Sequence, residues 1–155
     1  MPLMALLTVG GWAGLFAAAM SIIFVAPSPA LLPSFCAGFV ARLSRDALVA
    51  AGVDSNLATL VAAALVCLVG EISIRRRVAS PVVVVSALIP LGAALPIFRV
   101  IVDFLRIPSM PAAKLALLPQ TMLSNLSKVF TTTAAIGLGV SLAIYVIRAM
   151  RRESL

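Results

Sequence analysis

Residues 81–108 read PVVVVSALIPLGAALPIFRVIVDFLRIP, and the reading of this stretch decides the fold. From Val82 to Val102 it is almost wholly apolar, about the 20 residues that an α-helix needs to cross a bilayer. Pro90 and Pro96 fall near its middle, with Gly92 between them. Each proline removes an amide donor and crowds the preceding turn, so an unbroken helix here costs about 3 kcal/mol or more. In hydrocarbon the freed carbonyls need partners from neighbouring helices, water or a ligand. A span broken at mid-depth points to a transport site, because half-helix ends aim their dipoles at whatever lies there. The second half also carries Arg99 and Asp103, one helical turn apart. A structural proline kink with a snorkelling arginine is the alternative, and the stretch alone leaves both open.

The rest of the chain has the same character. Of its 155 residues 63% are hydrophobic and 11% charged, and the mean hydropathy is +1.19. Soluble domains do not have that composition, so the sequence predicts an all-α integral membrane protein, one bundle over residues 1–155. The net charge of +7 lies mostly in arginines at the ends of apolar runs, where it sets topology and meets anionic headgroups. Nucleic acid is not an expected partner. Histidine is absent, and Cys36 and Cys67 stand singly in apolar surroundings, so no metal, cofactor or disulfide is expected. Both cysteines read as small packing residues. The N-terminal run has no basic n-region and reads as a retained span rather than a cleaved signal. No phosphate loop, nucleophile elbow, zinc-binding helix or carboxylate pair is present, and an enzyme is not expected.

Five spans are expected, at about residues 3–25, 34–51, 57–74, 82–105 and 121–147. In the first, Gly10, Gly14 and Ala18 recur every four residues and permit close helix approach. Pro27, Pro29 and Pro33 end it. Residues 34–51 read either as a short span or as an amphipathic helix at the interface. Arg42 and Asp46 can pair along it, with Arg45 pointing elsewhere. Asp54 or Ser55 can cap the third helix, which carries small residues at Ala58 and Ala62. That helix ends in Glu71 and Arg75, followed by Arg76 and Arg77, a cytoplasmic marker. Prolines 108, 111 and 119 predict a loop over 106–119. On the last helix Thr121, Asn125, Lys128 and Thr132 form one polar stripe, followed by a small-residue face at Thr133, Gly137 and Ser141. The tail arginines lie two spans beyond the triplet and share its side. An uncharged N-terminus is more comfortable outside, which favours five spans over four.

Candidate pathway residues are therefore Pro90, Gly92, Pro96, Arg99, Asn125 and Thr132. An arginine in a water-filled cavity suits a carboxylate, through charge-assisted bidentate hydrogen bonds. Arg45, Asp46, Asp103 and Lys128 are candidates for proton coupling or ion pairing, since intramembrane charge is expensive and usually functional. Lys128 precedes about 19 uncharged residues and can equally snorkel to the boundary.

Four features in order resemble the threonine/serine exporter family (ThrE-type), in particular the short membrane subunit of its two-component form. They are SFCAGFVARLSRDALVAAG with Ser44, Arg45 and Gly52, a span ending in a polar turn, SALIPLGAALP, and a last span opening near Asn125. Family members usually carry a Pro-Gly pair where this chain has Gly92-Ala93-Ala94, with the second proline displaced to Pro96. The resemblance implies a proton-driven exporter of small amino acids or dicarboxylates in a bacterial inner membrane. It also implies that this chain forms one half of a ten-span unit with a separate five-span partner. Self-association would serve the same end, since five short spans are few for an enclosed path. The competing expectation is a non-transporting scaffold that binds another membrane protein through its small-residue faces.

Overall fold

A computed structural model describes residues 3–75, 80–92, 94–109 and 111–153. Among these the chain is helical and has no strand. The main helices are α1 (Leu3–Ile23), α2 (Leu31–Ala50), α3 (Ser55–Arg75), α4 (Ser80–Leu88), α5 (Ala94–Arg106) and α6 (Ala112–Glu153). Arg76 and Arg77 of the expected arginine triplet lie outside the described residues. Two helices, Leu6–Ile23 and Leu115–Met150, are long and apolar enough to cross a membrane. The interrupted pair α4–α5 makes a third if it counts as one span. Among the described residues that makes two or three spans where five are expected, with Ser55–Glu71 a shorter apolar helix.

The chain forms two compact units, one of Met1–Leu91 with Ala135–Leu155, the other of Gly92–Ala134. In the first, α1, α2, α3 and α4 pack on one another. Its core is built from small side chains: Ala30, Ala37, Ala41, Ala62, Val66, Val83, Ala87 and Leu91. Large apolar side chains face outward instead, with Trp12 73%, Ile23 67% and Leu15 55% exposed on α1. Water would drive the opposite arrangement. Lipid does not, since tails are as apolar as leucine and small residues let backbones approach.

Close backbone approach joins α1 and α2. A Cβ on Gly14 would lie 2.9 Å from the Phe35 carbonyl oxygen, and one on Gly38 2.6 Å from the Ala17 Cβ. Gly10 lies under the Phe39 ring. These pairs run in opposite directions along the two helices, so α1 and α2 are antiparallel. The small-residue spacing read in the first span is thus occupied by α2. Between the helices comes a short 3-10 turn, Ser28–Ala30. Pro33 falls in the first turn of α2, where a missing amide costs no hydrogen bond, so the helix starts earlier than its prolines suggest.

Both α1 and α2 end in Schellman caps. The amides of Val25 and Ala26 bond the carbonyls of Ile22 and Ser21, each at 2.9 Å. Those of Gly52 and Val53 bond Val49 and Leu48, each at 3.0 Å. The left-handed position is Gly52 (φ 88°) in α2 but Val25 (φ 54°) in α1. At the start of α3 Asp54 is the cap, its Oδ1 accepting the amide of Asn56 at 2.8 Å. Ala58 and Ala62 are fully buried, as their spacing implies, and Cys67 is buried, whereas Cys36 is exposed.

The last helix departs most from expectation. It begins at Ala112 and runs 42 residues, about 63 Å at 1.5 Å per residue, in place of a loop to residue 119. Pro111 sits just outside its start and Pro119 inside it, so these prolines are tolerated rather than terminating. Its packed face is Ala135, Gly139 and Ala143, with Gly139 pressed on the Leu60 carbonyl and Ala63 of α3. The expected face, Thr133, Gly137 and Ser141, is exposed, and Gly137 has open space where a Cβ would stand.

Candidate substrate path

The interruption expected in residues 81–108 is present. α4 stops at Leu88, a 3-10 turn covers Ile89–Leu91, and Gly92 is a bend before α5 starts at Ala94. Pro90 has no amide to donate to the Ser86 carbonyl, which accounts for the break. Pro96 falls in the first turn of α5, where the loss is harmless. Leu91 is 2% exposed and belongs to the cluster of Ala37 and Ala41 near the middle of α2, and Ala62 and Val66 near the middle of α3. From Ser80 to Leu91 the chain rises only about 18 Å, short of the ~30 Å of a hydrocarbon core. Within the first unit, α4 therefore ends part-way along its neighbours.

In the second unit α5 is sharply two-sided. Arg99, Asp103 and Arg106 follow at steps of four and three and share one stripe. Ile97, Phe98, Ile101, Phe104 and Leu105 occupy the other and are 44% to 72% exposed. The sequence puts Arg106 in a loop, but α5 runs one residue past the expected span and adds it to the stripe. The first half of α6 carries the other polar stripe. Gln120, Thr121, Ser124, Asn125 and Lys128 line an open hollow of about 360 Å³. Thr121 donates its hydroxyl to the Leu118 carbonyl at 2.9 Å, which leaves Asn125 and Lys128 as the stripe's strongest ligand groups. Thr132 is half-buried one turn further on. An ammonium beside a carboxamide can receive a carboxylate.

Arg45 and Asp46 belong to the first unit and make a different arrangement. Arg42 Nε donates to Asp46 Oδ2 at 2.8 Å, the pairing expected from spacing. Arg45 donates from Nε to Thr59 Oγ1 at 2.9 Å and from Nη2 to Ser55 Oγ at 3.2 Å. Its third contact is Asp46 Oδ1 at 3.6 Å. These bonds tie α2 to the first turn of α3. The ion pairs Arg42–Asp46 and Arg45–Asp46 both lie on α2.

A buried polar junction escaped the sequence reading. Ser21 Oγ lies 2.6 Å from Ser34 Oγ and 2.8 Å from Ser86 Oγ, and all three serines are fully buried. The Ser86 hydroxyl bonds the Val82 carbonyl. With one proton each, the hydroxyls form a chain from Ser34 through Ser21 to Ser86, and no donor is left over for a ligand. The chain joins α1, α2 and α4 close to the break. Among the described residues no group of Asp, Glu or Cys could hold a metal ion. Compared with known protein families, curated proteins and solved structures, the chain matches none.

Proposed function

We propose that the chain is a membrane subunit of a secondary exporter for small amino acids of the threonine and serine kind, or for dicarboxylates. In this reading the interrupted helix and the stripe of α5 carry the path. The observation that supports it most is the two-sidedness of α5 just after the break: an apolar side suited to lipid and a cationic side suited to an aqueous channel. Arg99 receives the carboxylate, while Asn125 and Lys128 offer a second set of donors. Asp103 takes up and releases the coupling proton, and the path is completed by a five-span partner subunit. The setting is a bacterial inner membrane with the arginine-rich loop and C-terminus cytoplasmic.

Efflux of labelled threonine, serine and succinate from cells carrying the chain and its genomic neighbour tests the proposal. Arg99→Ala is expected to abolish efflux while leaving membrane abundance unchanged, and undiminished efflux removes Arg99 from the path. A non-transporting scaffold is favoured by one observation, the uncovered Thr133–Gly137–Ser141 face of α6. On that reading Gly137→Leu breaks a complex with another membrane protein, and no substrate moves with or without it.

A further inference from the structure

We infer that the α1–α2 pair carries a binding site for an anionic phospholipid, with the phosphate on Arg42 and an acyl chain laid along Phe39 and Phe35. The three residues follow at steps of four and three on one stripe of α2. The two rings stack, with centroids 6.3 Å apart and planes 13° from parallel, and both remain partly exposed. They lie on Gly10 and Gly14 of α1, whose missing side chains let the rings sit against the helix.

Two independent registers put Arg42 at the edge of the membrane-embedded region. Against α1, Phe35 pairs with Gly14 and Phe39 with Gly10, so Arg42 comes level with about Leu7, where the apolar span begins. Against α3, neighbouring Arg45 reaches Ser55 and Thr59 in the first turn. Charge here sits at headgroup depth, and the two rings lie inward from it.

The chemistry of the two arginines differs. Arg45 is spent on Thr59, Ser55 and Asp46. Arg42 is oriented by Asp46 through Nε alone among the described residues, and its side chain is 31% exposed. Arg42 borders a hollow of about 240 Å³ whose other walls are Asp46, Val49 and Ala50. Two arginines against one carboxylate leave a local charge of +1, which favours a headgroup of net negative charge over a zwitterionic one.

Native mass spectrometry of the delipidated full chain, with phosphatidylglycerol or phosphatidylcholine added back, tests this. Wild type is expected to retain phosphatidylglycerol in preference to phosphatidylcholine. Arg42→Ala should weaken retention about tenfold, the loss of one charge-assisted contact. Arg42→Lys should keep much of it, Phe39→Ala should weaken it, and Arg148→Ala should not. Circular dichroism of each variant confirms that the helices persist, and Arg42→Lys serves if Arg42→Ala does not fold. Equal retention of both lipids, unchanged retention in Arg42→Ala and Phe39→Ala, or displacement by millimolar inorganic phosphate would overturn the inference.

Discussion

Ser21 and Ser34 hold their hydroxyl oxygens 2.6 Å apart in the interior of the helical bundle, on α1 and α2 respectively. Ser21 is the middle of the chain that continues to Ser86 on α4. Ser21→Ala should cost about 1–3 kcal/mol, because it strands the Ser34 donor in a dry interior. Ser34→Ala removes only an end of the chain and should cost less. Thermal melts in mild detergent check the order, and equal costs would mean the hydroxyls act independently.

Glycine positions should divide by sign. Gly14→Ala and Gly38→Ala drive a methyl into backbone or Cβ atoms of the partner helix and should destabilise by about 1–3 kcal/mol. Gly139→Ala meets the Leu60 carbonyl and should behave alike. Gly11→Ala and Gly137→Ala meet nothing within 4 Å and should gain up to about 1 kcal/mol of helix propensity. The same melts report all five variants.

The two Schellman caps predict opposite responses at equivalent positions. Val25 is a branched residue at φ 54°, 89% exposed, so Val25→Gly removes steric strain without losing packing. A gain of about 1 kcal/mol is expected after the entropy of glycine is deducted. Gly52→Ala puts a Cβ into the same conformation and should lose about 1 kcal/mol.

Trp12 is the single tryptophan and is 73% exposed on α1. In vesicles its emission should be blue-shifted and quenched by lipids brominated along the acyl chains. Water-soluble acrylamide should quench it weakly. Strong acrylamide quenching with no bromine effect would place this face of α1 out of the membrane.

The sequence made α1, α3, the Asp54 cap and the Arg42–Asp46 pair legible, because each depends on neighbours within one turn. The break at Pro90 was legible for the same reason, since a proline acts on the carbonyl four residues back. The packed face of α6 was not. Thr133–Gly137–Ser141 and Ala135–Gly139–Ala143 are both small-residue stripes at four-residue spacing, nearly opposite one another on the helix. Only the Leu60 carbonyl of α3, far away in the chain, decides which one is covered. The serine junction has the same origin: Ser21 and Ser86 are 65 residues apart and nothing local links them. The loop expected before α6 failed because a proline count does not distinguish Pro111, just outside a helix, from Pro119, seven residues into it.

Glycine-seated contact between α1 and α2 also bears on biogenesis. This close pair is made by segments adjacent in the chain, so it can close while later helices are still being synthesised. The hairpin then presents Arg45 without its hydroxyl partners until Ser55 and Thr59 emerge. Insertion of the third helix thereby gains a polar latch at the mouth of the hairpin, and the order of assembly follows the order of translation.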